Sequence, residues 1–133
     1  MEQSSISRWN DILGPFYSAD QVVKIWGGVS KKTLADWRGQ SAVLGLETTD
    51  GFIVYPTFQF DEKNRVLRGL PEVLQCFHGI NVDDWTVAGW LVSPSRALGS
   101  RSVVDWLRLN RELEPVLVLA RESAWWFAES ALR

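Results

Sequence analysis

The sequence predicts a mainly α-helical fold with a small β-hairpin, in which a helix-turn-helix, winged-helix-like unit precedes an all-helical half. Two short segments with helix caps lie near the N-terminus, and glycines separate them. An Asp-Gly pair between alternating apolar runs follows them. Several further helix signals then fill the rest of the chain. These patterns predict an arm over residues 1–17, a helix-turn-helix plus hairpin over 18–60, and a helical region over 61–133.

The first predicted helix begins after the polar arm, which ends in a turn-like Gly14-Pro15 pair. Ser18-Ala19-Asp20-Gln21 matches the capping box, because a serine N-cap is followed three residues later by glutamine. Gly27-Gly28 then ends the helix after about two turns.

The second predicted helix covers Lys31 to Arg38, with Ser30 as its N-cap and Gly39 as its end. Leu34 and Trp37 are three residues apart, so they share one helical face. Two short helices joined by a glycine-containing turn are the pattern of a helix-turn-helix.

A β-hairpin is predicted next, from two apolar runs, Ala42 to Leu46 and Phe52 to Phe60, around Asp50-Gly51. Pro56 lacks an N–H donor, so we expect its strand to lie at an edge or to end early.

The second half predicts four short helices. Their starts are marked by proline or by a capping side chain. They run from Pro71 to Phe77, from Asn81 or Asp83 to Ser93-Pro94, from Ser100 or Ser102 to Leu107, and from Pro115 to Phe127.

The composition is that of a globular protein, with 46% hydrophobic and 23% charged residues among 133. One cysteine excludes an internal disulfide and favours a reducing, cytoplasmic setting. One histidine and one cysteine make a transition-metal site improbable. No stretch is apolar enough to cross a bilayer, and the N-terminus does not resemble a secretion signal.

The catalytic inventory is poor, so the sequence argues against an enzyme and predicts no cofactor. Asp61-Glu62 and Asp83-Asp84 are adjacent carboxylates, and adjacent helical residues do not face one another. Both pairs suit helix starts better. His78, next to Gly79 at a predicted helix end, suits a dipole or solvent position, and Cys76 on an apolar helix suits a small core residue rather than an activated thiol. No P-loop or G-x-G-x-x-G is present.

A local basic cluster on the second predicted helix is the candidate for DNA binding. It consists of Lys31, Lys32, Thr33 and Arg38. The net charge of −2 means that any DNA binding needs such a patch. The first turn of a recognition helix is the part that meets base edges. The competing interpretation is a solvated helix end.

An aromatic run near the C-terminus, Trp125-Trp126-Phe127, is the candidate for protein binding. Successive helical residues are about 100° apart, so three of them span most of the circumference. One or two rings can face the core, and the remaining one then meets solvent or a partner. Alternatively, neighbouring elements bury all three.

The region from Gly89 to Arg121 carries a series of motifs: Trp90-Leu91, Ser93-Pro94, Ala97-Leu98-Gly99, Arg101, Asp105-Trp106-Leu107 and Glu114-Pro115-Val116-Leu117-Val118-Leu119-Ala120. This pattern resembles the toxin-binding domain of the MbcA/ParS/Xre-type antitoxins. Leu44 to Phe60, with its aromatic-Pro-x-x-Gln-Phe pattern, is similar to the middle of such proteins. Ser95, Ser100 and Val103 depart from the family's usual Asn, Gly and Pro.

The resemblance implies the antitoxin of a type II toxin–antitoxin pair. Such a protein neutralises a RES-domain, NAD-consuming toxin by occluding its active site, and it binds the operator DNA of its own promoter as a homodimer or a toxin–antitoxin hetero-oligomer. The residues we expect to contact the toxin are Arg101, Trp125, Trp126, Phe127 and Arg133. Two alternatives remain: a stand-alone helix-turn-helix transcriptional regulator, and a small ligand-binding domain with a Trp-lined pocket.

Overall fold

A computed structural model describes residues 11–131, which form a mainly helical protein with a small three-stranded antiparallel sheet. This confirms the predicted fold class at that level. Short 3₁₀ turns cover Thr57–Gln59 and Arg96–Leu98. The strands are β1 (Phe16–Ser18), β2 (Leu46–Glu47) and β3 (Ile53–Pro56), and the helices are α1 (Ala19–Trp26), α2 (Lys31–Gly39), α3 (Leu70–Gln75), α4 (Asp84–Val92), α5 (Val103–Arg108) and α6 (Glu114–Ala131).

The sheet has the order β1-β3-β2, and its first strand includes residues 16 and 17, so the end of the segment predicted as a loose arm, residues 1–17, is ordered in a strand. Phe16 and Tyr17 belong to β1 and pair with Pro56 and Tyr55 of β3. Leu13 is 1% exposed, so the chain is anchored before the strand begins. Aromatic residues favour strands, and this preference outweighs the polar composition around them. Residues 1–10 of the predicted arm lie outside the described residues.

Pro56 ends β3, as one of the two sequence alternatives predicts, but β3 is the central strand rather than an edge. A proline has no N–H to give to the ladder with β1. The next residue supplies that donor, because the Thr57 N–H donates to the Pro15 carbonyl at 3.0 Å. The sheet therefore tolerates proline at the last position of its middle strand.

The Asp50-Gly51 turn is confirmed, although its strands are shorter than predicted. The Thr48 N–H donates to the Phe52 carbonyl at 2.8 Å, and the Gly51 N–H donates to the Thr48 carbonyl at 2.9 Å. Gly51 has φ 86°, in the left-handed region that glycine adopts without strain. Residues 42–45 are not a strand.

The segment before β2 is held by a buried glutamine side chain instead of a neighbouring strand. Gln59 is completely buried. Its Oε1 accepts from the Leu44 N–H at 2.8 Å, and its Nε2 donates to the Leu44 carbonyl at 2.7 Å and to the Pro56 carbonyl at 3.1 Å. The side chain therefore imitates a strand partner for Leu44 and satisfies its backbone.

Helix starts follow the predicted caps. The reciprocal bonds of the capping box are present at Ser18 and Gln21, with distances of 3.2 and 2.8 Å. The Ser30 side chain accepts from the Thr33 N–H at the start of α2. Of the alternatives left open by the sequence, Asp83 caps α4 and Ser102 caps α5.

Two hydrophobic clusters support these elements. The smaller one joins α1, α2 and the sheet through Val22, Leu34, Val43, Tyr55 and Phe60. The larger one fills the space between the C-terminal helices, and it also takes in Leu13, Leu44 and Leu46. One face of the hairpin segment therefore packs into the core of the C-terminal helices.

Candidate functional site

The first turn of α2 presents two lysines to solvent. The side chains of Lys31 and Lys32 are 66% and 85% exposed. Lys31 forms an ion pair with Asp20 at 2.7 Å, and Lys32 forms one with Asp36 at 3.2 Å. Exposed pairs of this kind contribute about 0–1 kcal/mol, so either lysine can exchange its carboxylate for another anion.

The opposite face of α2 is anchored to α1. Leu34 is fully buried, and the Trp37 ring lies 5.6 Å from the Trp26 ring of α1. Thr33 is half-buried, and its hydroxyl lies 3.0 Å from the Ser30 hydroxyl. Because Leu34 and Trp37 pack on one side of α2, the opposite side of its first turn is exposed to solvent.

Arg38 lies apart from Lys31, Lys32 and Thr33, the other members of the predicted basic cluster. Its Nε donates to the Gly45 carbonyl at 3.0 Å, and its Nη2 lies 3.5 Å from Asp84 of α4. A Cβ at Gly45 would lie 2.7 Å from the Arg38 Cδ, so the close approach requires glycine. The structure groups Lys31, Lys32 and Thr33, whereas Arg38 connects the end of α2 to the helical half.

The tip of the β2–β3 hairpin is aromatic and acidic. Phe52 is 69% exposed, and Glu47 and Asp50 are also exposed. The hairpin adds no cation to the lysines of α2.

The C-terminal aromatic run divides between solvent and core. Trp125 and Trp126 are 58% and 60% exposed, with their ring centroids 5.7 Å apart. Phe127 is half-buried and packs 6.1 Å from the Phe77 ring. The inward face of α6 carries Ala120, Ala124 and Phe127, as helical periodicity requires. The alternative in which all three rings are buried is wrong, and Phe127 lies on the core side.

Arg101 closes the turn between α4 and α5. Its carbonyl accepts from the Ser95 N–H at 3.0 Å, and its side chain is half-buried. Gly99 and Ser100 both have positive φ, 65° and 68°, which produces the sharp reversal. Arg133 lies outside the described residues.

A cavity of about 290 Å³ lies between the end of α2 and the helices α3 and α4. Its polar lining includes Arg38, Ser41, His78 and Asp84. Burial raises the pKa of Asp84, although the nearby Arg38 guanidinium opposes the shift. This cavity could not be predicted from the sequence, because its two sides are about forty residues apart in the chain. No tryptophan lines it.

The remaining reactive side chains have structural partners. Backbone N–H groups of Arg65 and Lys63 hold the pKa of Asp61 below its usual value. Burial raises the pKa of the Cys76 thiol, which donates to the Glu72 carbonyl. Within residues 11–131, no cluster of three or more His, Cys, Asp or Glu side chains is placed to hold a metal ion, and no helix is long and apolar enough to cross a membrane.

Comparison with known proteins supports the fold alone. The sequence matches no family model and no curated protein sequence. The structure is similar to the NMR structure of Rv2175c, with a TM-score of 0.68 and 22% sequence identity over 83% of this chain and 81% of that one.

Proposed function

We propose that the chain is a DNA-binding protein in which α1 and α2 form a helix-turn-helix and the β2–β3 hairpin forms a wing. The order of these elements and the packing of α1 on α2 support this assignment. The observation that carries it is the first turn of α2, where Lys31 and Lys32 are exposed while Leu34 is buried.

The first turn of α2 has the chemistry that base and phosphate recognition needs. Lysine ammonium groups bind phosphates, and they also donate to the O6 and N7 atoms of guanine. Cations at a helix N-terminus oppose the macrodipole at a cost of about 0.3–1 kcal/mol. Their contact with phosphate would offset that cost, because DNA neutralisation releases counterions.

Charge explains why such binding would be selective. The whole chain carries a net charge of −2, so it has no general attraction for DNA. Asp20 and Asp36 accompany the lysines and further reduce the local positive charge. Affinity therefore depends on a site whose base edges fit the α2 surface, and we expect weak binding to random duplex.

Duplexes selected from a random pool by the purified chain provide the probe, and fluorescence anisotropy measures their affinity. We expect the Lys31→Ala, Lys32→Ala double variant to bind at least tenfold more weakly. Its salt dependence should fall by about two ion equivalents, since each lost phosphate contact removes about 0.9. A matched control is Arg96→Ala, Arg121→Ala, which removes two exposed cations from the helical half. Equal weakening in both double variants, or a failure to enrich any duplex, would contradict the proposal.

A second function, the antitoxin activity implied by the resemblance, is favoured by the exposed pair Trp125 and Trp126. Large aromatic side chains are common anchors at protein interfaces, and burial of one is worth about 1.5–3 kcal/mol. We propose that this pair contacts a RES-domain toxin. Arg101, in the turn between α4 and α5 that carries part of the resemblance, would contact the toxin as well. A stand-alone regulator would bind DNA without such a partner.

Co-expression with the product of an adjacent RES-type gene tests the second function. We expect the wild-type chain to restore growth and to co-purify with the toxin. Trp125→Ala, Trp126→Ala should lose both properties while remaining folded. Phe52→Ala, Leu109→Ala is the control, since these side chains are 69% and 51% exposed at other places. Full rescue by the double tryptophan variant would exclude this surface as the anchor.

A further inference from the structure

Three exposed arginines lie near the junction of α5 with the loop that precedes α3. They are Arg68, Arg108 and Arg111, which we call the arginine cluster. Among residues 11–131, none of the three has a carboxylate oxygen within 4 Å. The cluster therefore presents positive charge that no ion pair neutralises. The cations that do form ion pairs are Lys31, Lys32, Arg38, Arg65 and Arg121.

Two of these guanidinium groups are held in place by contacts that leave most of their donors available. The Arg108 Nη2 atom donates to the Phe58 carbonyl at 2.7 Å, which uses one of the five N–H donors of the group. The Arg111 guanidinium lies 5.1 Å from the centre of the Trp106 ring, and a stacked contact of this kind uses none of them. The Trp106 ring is itself fixed, because its Nε1 atom donates to the Glu112 carbonyl at 2.8 Å.

The backbone on either side of Arg68 contacts the segments that hold Arg108. The N–H of the preceding residue donates at 2.8 Å to the carbonyl of Gln59, one residue after the carbonyl that binds Arg108. On the other side, a Cβ at Gly69 would lie 3.3 Å from the Leu107 Cδ2 atom, so the two residues are packed together. These contacts bring arginines that are forty residues apart in the sequence to one surface.

The chemistry of the cluster suits phosphate groups. A guanidinium fork can bind two phosphate oxygens at once. Because Arg108 and Arg111 are already positioned, binding would order fewer side chains and so cost less entropy. A stable protein interface needs about 800 Å² per partner with an apolar centre. Between Arg108 and Arg111 the chain exposes one large apolar side chain, Leu109, which is too little for such a centre. A phosphate chain therefore fits this surface better than an acidic protein does.

The same loop connects the cluster to the proposed helix-turn-helix. The Trp26 Nε1 atom, at the end of α1, donates to the Asn64 carbonyl at 2.5 Å. Lys24 in the last turn of α1 and Lys63 beside Asn64 are both exposed. A duplex of twenty base pairs is about 68 Å long, since each pair adds about 3.4 Å. A folded chain of this size has a radius of gyration of about 14 Å, so one duplex is long enough to reach both surfaces.

We propose that the arginine cluster binds backbone phosphates of the same DNA duplex that α2 contacts. This inference rests on the DNA binding proposed above, and it adds a contact from the helical half that does not depend on base sequence. The net charge of −2 means that three such contacts alone would hold a duplex weakly. The cluster therefore acts together with the first turn of α2.

The probes are the duplex selected by the wild-type chain and a scrambled duplex of the same composition. Fluorescence anisotropy measures both affinities between 50 and about 200 mM salt. We expect Arg68→Ala, Arg111→Ala to weaken binding to the two duplexes by the same factor, at least fivefold, because phosphate contacts carry no sequence information. The salt dependence should fall by about 1.8 ion equivalents, or about 0.9 for each contact. Arg108 is kept because it also binds the Phe58 carbonyl.

Two further double variants control for charge. Arg68→Lys, Arg111→Lys should keep the salt dependence of the wild-type chain, because both positive charges remain. Arg96→Ala, Arg121→Ala removes two exposed cations from other places in the helical half and should leave both affinities unchanged. Circular dichroism checks that each variant is folded.

The outcomes separate this inference from the proposed function. If Arg68→Ala, Arg111→Ala has the affinity and salt dependence of the wild-type chain while Lys31→Ala, Lys32→Ala binds weakly, the cluster has no contact with DNA and the role of α2 stands. Equal weakening by Arg96→Ala, Arg121→Ala would also overturn the inference, since any lost cation would then have the same effect. If only the Arg68 and Arg111 variant weakens binding, the cluster is supported and the assignment of α2 fails. An absence of binding to every duplex would overturn both.

Discussion

The buried amide of Gln59 makes a strong and quantitative prediction about stability. Replacement by methionine keeps an unbranched side chain of similar length but removes the hydrogen bonds to Leu44 and Pro56. Leu44 is only 4% exposed, so its N–H and carbonyl lose partners that water cannot easily replace. A buried polar group without a partner costs about 1–3 kcal/mol.

The two Leu44 groups together predict a loss of about 2–6 kcal/mol in the free energy of unfolding. That is a large part of the total for a domain of this size, typically about 5–15 kcal/mol. Urea denaturation followed by tryptophan fluorescence measures the loss, because the eight tryptophans are spread along the chain.

Gln75→Met is the matched control for Gln59→Met. The Gln75 amide also donates to a backbone carbonyl, that of Gln40, but this contact is exposed to solvent. Water can replace the lost donor there, so we expect a loss below about 1 kcal/mol. If the two variants lose equal stability, the reasoning that burial makes the Gln59 bonds important is refuted.

Four further variants are tested by the same denaturation method. Asp61 has a lowered pKa, so its stabilising effect is present above pH 3.8, its ordinary value, and is lost as the pH falls through the folded-state pKa. Asp61→Asn should therefore be destabilised at pH 7 and approach wild type in acid; a constant difference would contradict this. Asp84 has a raised pKa, so its ionisation costs stability as the pH rises above 3.8. Asp84→Asn should then be no less stable than wild type at pH 7, and a clear loss would show that the Arg38 contact outweighs desolvation. Phe127→Ala should cost about 1–3 kcal/mol through lost packing, whereas Trp126→Ala should change stability by less than about 0.5 kcal/mol; similar losses would contradict the division of the aromatic run.

Local signals predicted the helices well because each depends on neighbouring residues alone. A cap and the helix it starts are within three residues of each other, as at Ser18 and Ser30. The position of β1 could not be predicted in the same way, because its partner β3 lies almost forty residues further along the chain. Polar composition near Gly14-Pro15 indicated a loose arm, and only the pairing with β3 shows otherwise.

The candidate site could be predicted only in part, because some of its contacts join residues that are distant in the sequence. The spacing of Leu34 and Trp37 predicts which face of α2 is buried. Lys31 and Lys32 lie off that face, so their exposure could be predicted from helical periodicity. The position of Arg38 depends on Gly45 and Asp84, which periodicity does not place. Arg38 carries the same charge as Lys31 and Lys32, so the sequence did not indicate that its environment differs from theirs.

The two ends of α2 accordingly have different surroundings. The lysines of its first turn are exposed to solvent, whereas its last turn contacts the helical half, where Arg38 lies 3.5 Å from Asp84. Two adjacent contacts reinforce this junction: Ser41 with His78, and the Gln75 amide with the Gln40 carbonyl.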